Sequence, residues 1–297
     1  MTPYRCNLCQ ASSARRLGTF HGRDLVACRA CGLRAYHPLP TDAELRALYA
    51  SADYLAADYF ALEDLHTNHG RRMGQAARLL GERYETGGRI LEIGPGQGHF
   101  LKQCRDLGLE VEAIEFSPPL ARALRERFGC VVREKPLEAC GLPSRAYQGV
   151  AAFDLLEHVR DPMGLLREMW RILAPGGTLV LSTVSTDNVL DALGRLLARL
   201  GLSGPMAKLH PPYHLYYFTP ELLERYLAAA GFTLESLEQE NYDPRKATPR
   251  RVEQWALRAI YLLHDLTGRR TNLYVTCVKP AAGETGAGIT TQQAGSL

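Results

Sequence analysis

Two apolar rhythms divide the chain. Residues 89–93 (Arg-Ile-Leu-Glu-Ile) make a short, nearly continuous apolar run, as expected of a strand buried on both faces. Three glycines follow at alternate positions, Gly94, Gly96 and Gly98, after which Phe100, Leu101, Cys104 and Leu107 fall on one helical face. Similar runs recur at 110–115, 131–134, 147–153 and 178–184, and two more at 232–239 and 272–278. The helical patterns between them have legible starts and stops. Ser117-Pro118 sets an N-cap before a proline at the first helical position. Asp161-Pro162 opens a helix whose Leu165, Leu166, Met169, Trp170 and Leu173 face inward until Ala174-Pro-Gly-Gly177 stops it. A Leu-rich amphipathic helix is predicted between 188 and 204, and another from Thr219-Pro220 to Gly231. Upstream, Thr41-Asp-Ala-Glu44 is a capping box for a helix with Leu45 and Leu48 on one side, and a second helical stretch covers about 61–84. This alternation predicts an α/β fold, a Rossmann-like, doubly wound and mostly parallel sheet of seven strands with helices on both faces. No internal repeat is present.

Bulk composition narrows the setting. A chain of 297 residues can bury a full α/β core and still carry a small accessory module. A formal net charge of +3 makes the whole chain no general nucleic-acid binder, yet the charge is unevenly spread. Residues 1–40 hold six Arg and one Asp, and residues 244–270 hold seven Arg or Lys against two acids. No apolar run approaches the roughly 20 residues needed to span a membrane, and the N-terminus lacks the apolar region of a signal peptide. A cytoplasmic protein with reduced cysteines is therefore expected. Residues 281–297, rich in Gly, Ala, Thr and Gln and without aromatics, are expected to be disordered.

Four of the eight cysteines are grouped as Cys6-x2-Cys9 and Cys28-x2-Cys31, eighteen residues apart. This is the two-knuckle spacing of a zinc ribbon, with Gly32 supplying permissive backbone after the second pair. Four thiolates suit tetrahedral Zn²⁺ and leave no place for water, so such a site is structural rather than catalytic. Disulfide pairing is the alternative. Part of the Arg excess around the cysteines offsets the charge of the site itself; a nucleic-acid patch is possible there but not required.

A strand, a tight glycine turn and a helix N-terminus make a cradle for a ligand, because glycine takes φ > 0 and lets the ligand approach without meeting a Cβ. A dinucleotide fingerprint needs its third glycine one position later, and a P-loop needs Gly-Lys-Ser/Thr, which is absent. What stands here, Glu92-x-Gly94-x-Gly96-x-Gly98, resembles the first motif of class I S-adenosylmethionine (SAM) methyltransferases. Glu115 ends the second strand, and a carboxylate there can accept from both hydroxyls of a ribose. The resemblance assigns Glu115 that role, turns Glu92 toward the amino-acid end of the cofactor, and puts the adenine near Lys135 and Leu137, with Glu138 a lesser neighbour. The family's usual Gly-Asp is missing at that turn. Phe116 and Phe153 complete the cofactor-binding set that the resemblance implies.

The string Asp154-x-Leu156-Glu157-His158-Val159-x-Asp161-Pro162, then a helix, Pro-Gly-Gly and an apolar strand, strengthens the resemblance. It is typical of small-molecule O-, N- and C-methyltransferases, the ubiquinone-type O-methyltransferases among them, although Gln148 stands where the family usually has Asp. An imidazole titrates near neutrality, so His158 is the candidate general base. Glu157 either orients it or binds a divalent metal with it, and the pair could instead only shape the loop. The segment His214-Leu-Tyr-Tyr-Phe-Thr-Pro220 matches one that lies beside the substrate pocket in the family, which makes His214 and Tyr213 pocket candidates, while Tyr216, Tyr217 and Phe218 read as core. Helices before the first strand cover the cleft in such proteins, so Tyr49, Tyr54, Tyr59, His66, His69 and Arg71 are roof candidates, with surface or packing roles as the alternative.

The expected organisation is a zinc ribbon at 1–38, a helical cleft cover at 39–85, a SAM-binding methyltransferase domain at 86–280 with a basic insertion at 243–271, and the tail. Zinc ribbon plus SAM core also resembles the N-terminal part of nucleotide-sugar C-methyltransferases, whose further C-terminal domain has no room here. The resemblance implies methyl transfer from SAM to a small molecule such as a sugar, glycan or secondary metabolite, O-methylation being slightly favoured. Two alternatives stand beside it: an RNA methyltransferase using the basic ribbon and insertion, and a SAM-binding interaction protein without turnover. Oligomeric state is open.

Overall fold

The computed structural model describes residues 3–49, 67–248 and 250–281. Tyr54, Tyr59, His66 and residues 282–297 lie outside the described residues, as does the side chain of Tyr49.

In the four-cysteine unit, strands β1 (Ala14–Phe20), β2 (Arg23–Cys28) and β3 (Arg34–His37) form an antiparallel meander. Helix α1 (Asp42–Tyr49) starts at the predicted capping box, where Thr41 Oγ1 accepts the Glu44 N–H at 3.2 Å and the Glu44 carboxylate accepts the Thr41 N–H at 2.7 Å. Helix α2 (Asn68–Tyr84) is capped by Thr67, whose Oγ1 accepts from Gly70 at 3.1 Å.

The large sheet then begins. In chain order its elements are β4 (Arg89–Ile93), α3 (His99–Asp106), β5 (Glu110–Ile114), α4 (Pro118–Phe128), β6 (Val131–Arg133), β7 (Tyr147–Ala152), α5 (Pro162–Ile172) and β8 (Leu173–Val184). There follow α6 (Val189–Arg199), α7 (Gly204–Leu209), β9 (Tyr216–Tyr217), α8 (Pro220–Ala229), β10 (Thr233–Glu240), α9 (Pro244–Ala247), α10 (Arg251–Thr267) and β11 (Asn272–Val278). The sheet order is β10-β11-β8-β7-β4-β5-β6, and β11 alone runs antiparallel to its neighbours. Alternate residues feed opposite faces. Ile90 packs with Met73, Ala77 and Phe100 of α2 and α3, while Leu91 joins a cluster containing Leu166 of α5 and Leu223 of α8. Strand β4 pairs with both β5 and β7, so the chain winds outward from it in two directions. Ligands bind at the carboxyl ends of the strands beside such a switch point.

Two local expectations change. Ala174-Pro-Gly-Gly177 does not end a helix before a separate strand; the strand already starts at Leu173, and these four residues bulge from it, where the β7–β8 register shifts between Tyr147 and Gly149. The helix predicted between 188 and 204 ends earlier, at Arg199, and the separate short helix α7 begins only at Gly204. Gln148, the departure from the family pattern, accepts the Arg89 N–H at 2.8 Å at the start of β4, the end of the sheet away from the glycine turn.

Strand β9 pairs with β3, Arg34 opposite Tyr217 and Ala35 opposite Tyr216, so the four-cysteine unit takes its fourth strand from the larger domain. Cys6, Cys28 and Leu33 belong to the same buried cluster as Leu166, Leu215 and Phe218. Asn7 fixes the contact from the first knuckle, donating to Asp161 at 2.8 Å and accepting from the Met163 N–H and the Tyr226 hydroxyl, each at 3.1 Å. Arg34 Nη1 donates to both carboxylate oxygens of buried Asp191, at 2.8 and 2.9 Å.

Candidate active site

The glycine turn follows directly from β4. Gly94, Gly96 and Gly98 have φ of 71°, 53° and 78°, all left-handed. A Cβ on Gly98 would lie 2.5 Å from Phe128 and 2.7 Å from Leu124, so α4 packs against the turn and only glycine fits. Gly94 donates to the Ile114 carbonyl at 2.9 Å, which ties the turn to the end of β5. The first N–H groups of α3 open at this turn. Glu115 stands beside it. This carboxyl is almost fully buried, and its Oε1 accepts the Ser117 N–H at 2.8 Å. Burial raises its pKa, opposed by backbone N–H groups of Ser117, Gly96 and Phe116. A strand-end acid and a glycine N–H therefore share one spot.

The other sequence-predicted cofactor residues are more dispersed. Glu92 is buried in β4. Leu137 is buried in a 3₁₀ turn after β6, in the cluster that holds Ile93 and Ile114, whereas Lys135 and Glu138 are exposed. The Phe116 side chain is 57% exposed. Phe153 points into the core, edge-on to Phe100 at 5.1 Å and to His69 at 5.9 Å.

A second group of residues gathers past the end of β7. Asp154 has φ 47°, a strained value for a residue with a side chain; its N–H goes to the Ser182 carbonyl at 3.0 Å and its Oδ1 accepts the Ser182 hydroxyl at 2.6 Å. The turn Leu156–His158 follows. Glu157 is fully buried; Oε2 accepts the Thr183 hydroxyl at 2.7 Å, and Oε1 has no hydrogen-bond partner among the described residues. Burial, then the charge of Asp154, pushes its carboxyl up to about 8. His158 Nδ1 lies 3.0 Å from the Tyr213 carbonyl, which can only accept, so that nitrogen carries the proton and Nε2 the lone pair. Burial pushes this imidazole down to about 4. Tyr213 stacks on the ring at 5.7 Å, and His214 meets it edge-on at 4.8 Å. Burial, then the neighbouring His158 and His210, holds His214 well below the usual histidine range. The three sequence candidates thus converge: one ligand atom each from Glu157, His158 and His214 lies within 4.8 Å of the others, a donor set that suits a divalent cation.

Among the roof candidates, His69 reaches this group, with Nδ1 3.2 Å from the Tyr274 hydroxyl and 3.8 Å from Asp154 Oδ2. Arg71 instead pairs with Glu240 at the far edge of the sheet. Sequence reasoning missed Asp154, Tyr242 and Tyr274. Tyr242 and Tyr274 are held above the usual phenol range by burial and then by Asp154. Only the place of Asp154 at a strand end hinted at it. A cavity of about 270 Å³ between α2 and β8, β10 and β11 includes Phe153 and Tyr274 but neither the glycine turn nor Glu115.

The four cysteine sulfurs form a compact cluster, Cys6 to Cys31 and Cys9 to Cys28 each 3.5 Å apart and all within 4.8 Å. These separations exceed a disulfide bond of about 2 Å and approach the ~3.8 Å edge of a tetrahedron built on Zn–S bonds of about 2.3 Å. Gln10 and Gly32, each just after a cysteine pair, share left-handed φ of 61° and 81°. Arg16, Arg23 and Arg34 pair with Asp24, Glu44 and Asp191. Half of the six arginines in residues 1–40 therefore pair with carboxylates of the chain itself.

Comparison with known proteins agrees with this geometry. A family profile described as a methyltransferase domain matches residues 65–237. Ubiquinone biosynthesis O-methyltransferase of Xanthomonas axonopodis pv. citri is 30% identical over 168 residues, covering 54% of this chain and 68% of the relative. Among solved structures, the cyclase SpnF superposes with a TM-score of 0.55 at 19% identity, covering 82% of this chain and 97% of its own. A SAM-dependent methyltransferase from Archaeoglobus fulgidus gives 0.54 at 18%, covering 77% and 100%. At such identities the structures share the fold alone.

Proposed function

The chain belongs to the methyltransferase-domain family and is a SAM-dependent methyltransferase, and from that premise we propose that it methylates a hydroxyl of a small molecule. The observation that carries the cofactor assignment is Glu115 set beside the Gly96 N–H at the switch point of the sheet. Glu115 would accept from the ribose hydroxyls, the glycine turn and the start of α3 would border the chain linking ribose to the amino acid, and Glu92 would face the amino-acid end. Bound there, SAM supplies an electrophilic methyl group on sulfonium sulfur.

The protein's own contribution is alignment and proton handling. Tyr213 and His214 would wall the acceptor, and the dry surroundings of Glu157 would keep water from the reacting centre. At neutral pH His158 Nε2 carries a lone pair and no proton, because the Tyr213 carbonyl takes the proton-bearing Nδ1 and burial disfavours the imidazolium. It would take the acceptor's proton as the methyl arrives, with Asp154 favouring the resulting imidazolium. A second reading is favoured by the convergence of Glu157, His158 and His214: a divalent cation held there would lower the pKa of the acceptor hydroxyl.

The name of the Xanthomonas relative supports oxygen as the acceptor atom and a small molecule as its carrier. The sulfur separations support structural Zn²⁺ on Cys6, Cys9, Cys28 and Cys31, and reduced thiols support a cytoplasmic setting. Among the described residues no helix is long and apolar enough to cross a membrane. The deciding experiment incubates the protein with methyl-labelled SAM and cell extract and identifies the labelled product. A methyl ether on a small molecule supports the reading; label only on RNA, or none despite tight SAM binding, rejects it.

A further inference from the structure

Of thirteen exposed large apolar side chains among the described residues, nine lie in two stretches, 193–202 and 252–266. On α10, Val252, Trp255, Leu262 and Leu266 follow a three-four spacing and so share one stripe, with Trp255 68% and Leu266 83% exposed. The buried side of the same helix is Tyr261 and His264. Helix α6 packs against α10 and exposes Leu193 and Leu196, with Leu200 exposed just past its end. A surface helix normally turns its apolar stripe inward; two neighbouring helices here turn theirs to water, which marks an interaction surface.

Charge selects the occupant. Arg195, Arg250, Arg269 and Arg270 pair with acids, whereas Arg199, Arg251 and Arg258 form no ion pair among the described residues. The Arg258 guanidinium lies 5.2 Å over the Trp255 ring, apolar stem along the stripe and charged head at its margin. We propose that this face docks on the headgroup region of an anionic phospholipid bilayer, with the leucines entering the acyl boundary and the arginines meeting lipid phosphates. A second copy would set like charges against each other, and a nucleic acid would leave the leucines in water. Contact is peripheral, because no described helix can span the membrane. Both helices sit in segments leaving the carboxyl edge of the sheet, where Val184 lies opposite Asn272 and Asn272 opposite Glu240. That edge also carries the glycine turn and Glu157, so docking would bring the mouth of the cleft to the bilayer. The surface stands on its own geometry, whatever the acceptor.

Flotation of the full chain with vesicles tests this. Vesicles containing phosphatidylglycerol should bind it about tenfold or more tightly than vesicles of pure phosphatidylcholine, and Leu262→Asp/Leu266→Asp should lower that binding about tenfold. Arg251→Glu/Arg258→Glu, which changes only exposed groups, should do the same, with circular dichroism and SAM affinity unchanged in both variants. Three results overturn the proposal: no binding to the anionic vesicles, binding that both variants retain, or a lipid-free dimer that Leu262→Asp/Leu266→Asp dissolves.

Discussion

The backbone N–H of Leu215 donates to the Glu157 carbonyl at 2.7 Å, while the Leu215 carbonyl accepts from Tyr36 at 3.1 Å. A residue of the four-cysteine unit is thus two hydrogen bonds from the turn that carries the proposed base.

That link makes the cysteine cluster matter to turnover without contact with substrate. Cys9→Ser and Cys31→Ser should each abolish bound zinc, lower Tm by about 5 °C or more, and reduce kcat more than SAM affinity. Elemental analysis, thermal unfolding and calorimetry check the three parts. A metal-free wild type with the same Tm as the variants would refute the structural-metal reading.

Glu115→Ala should weaken SAM binding by about 2–3 kcal/mol, with Glu115→Gln in between, because a neutral amide keeps the shape and loses the charge. Calorimetry decides it. An unchanged Kd would remove Glu115 from the cofactor site.

Gly98→Ala should cost about 2–4 kcal/mol, since its methyl would meet Phe128 and Leu124 and its φ is left-handed. Gly129, also left-handed but with nothing within 4 Å of an added Cβ, should lose only about 1 kcal/mol on the same change. Urea unfolding of the two variants separates crowding from backbone strain.

His158→Ala should lower kcat about 10²-fold or more. With its imidazole pushed down to about 4, wild-type kcat should be flat across pH 6–8 and fall only as acid protonates Nε2. Wild-type kcat in the variant would eliminate the base. Loss of activity on adding a chelator, restored by magnesium or manganese, would favour the cation instead.

Glu157 gives a stability test with a definite sign. Its folded pKa, raised to about 8, lies above the unfolded value, so its contribution is complete at low pH and is lost as pH rises toward 8. His158 has the opposite shift and loses stability only as pH falls below the unfolded histidine value. Between about pH 6.5 and 8 the His158 contribution is constant, so of these two groups only Glu157 changes, and comparison with Glu157→Gln isolates it. Wild type should become less stable across that window and Glu157→Gln should not; parallel urea midpoints for the two would contradict the assignment.

Local signals in the sequence carried the strand–turn–helix at Gly94, the acid at Glu115 and the grouping of Glu157 with His158, because short-range geometry defines each of them. His214 was reachable only through family likeness, since fifty-five residues separate it from His158 in the chain. The carbonyl of Tyr213, which sets the imidazole tautomer, belongs to the main chain and leaves no mark on side-chain identity. Strand β9 is two residues long, too short to show a period, and Tyr216 and Tyr217 read simply as core. Ala174-Pro-Gly-Gly177 misled because glycine and proline punctuate a bulge as readily as a helix end.

The pairing of Tyr216 and Tyr217 with Arg34 and Ala35 has a practical bearing on how the enzyme can be cut. A recombinant fragment starting at residue 39 would strip the partner from that short ribbon of backbone, bare the apolar wall behind it, and leave Asp191 with Arg195 but without Arg34. Such a piece should be sticky and short-lived, whereas the two parts expressed as separate polypeptides should find each other again.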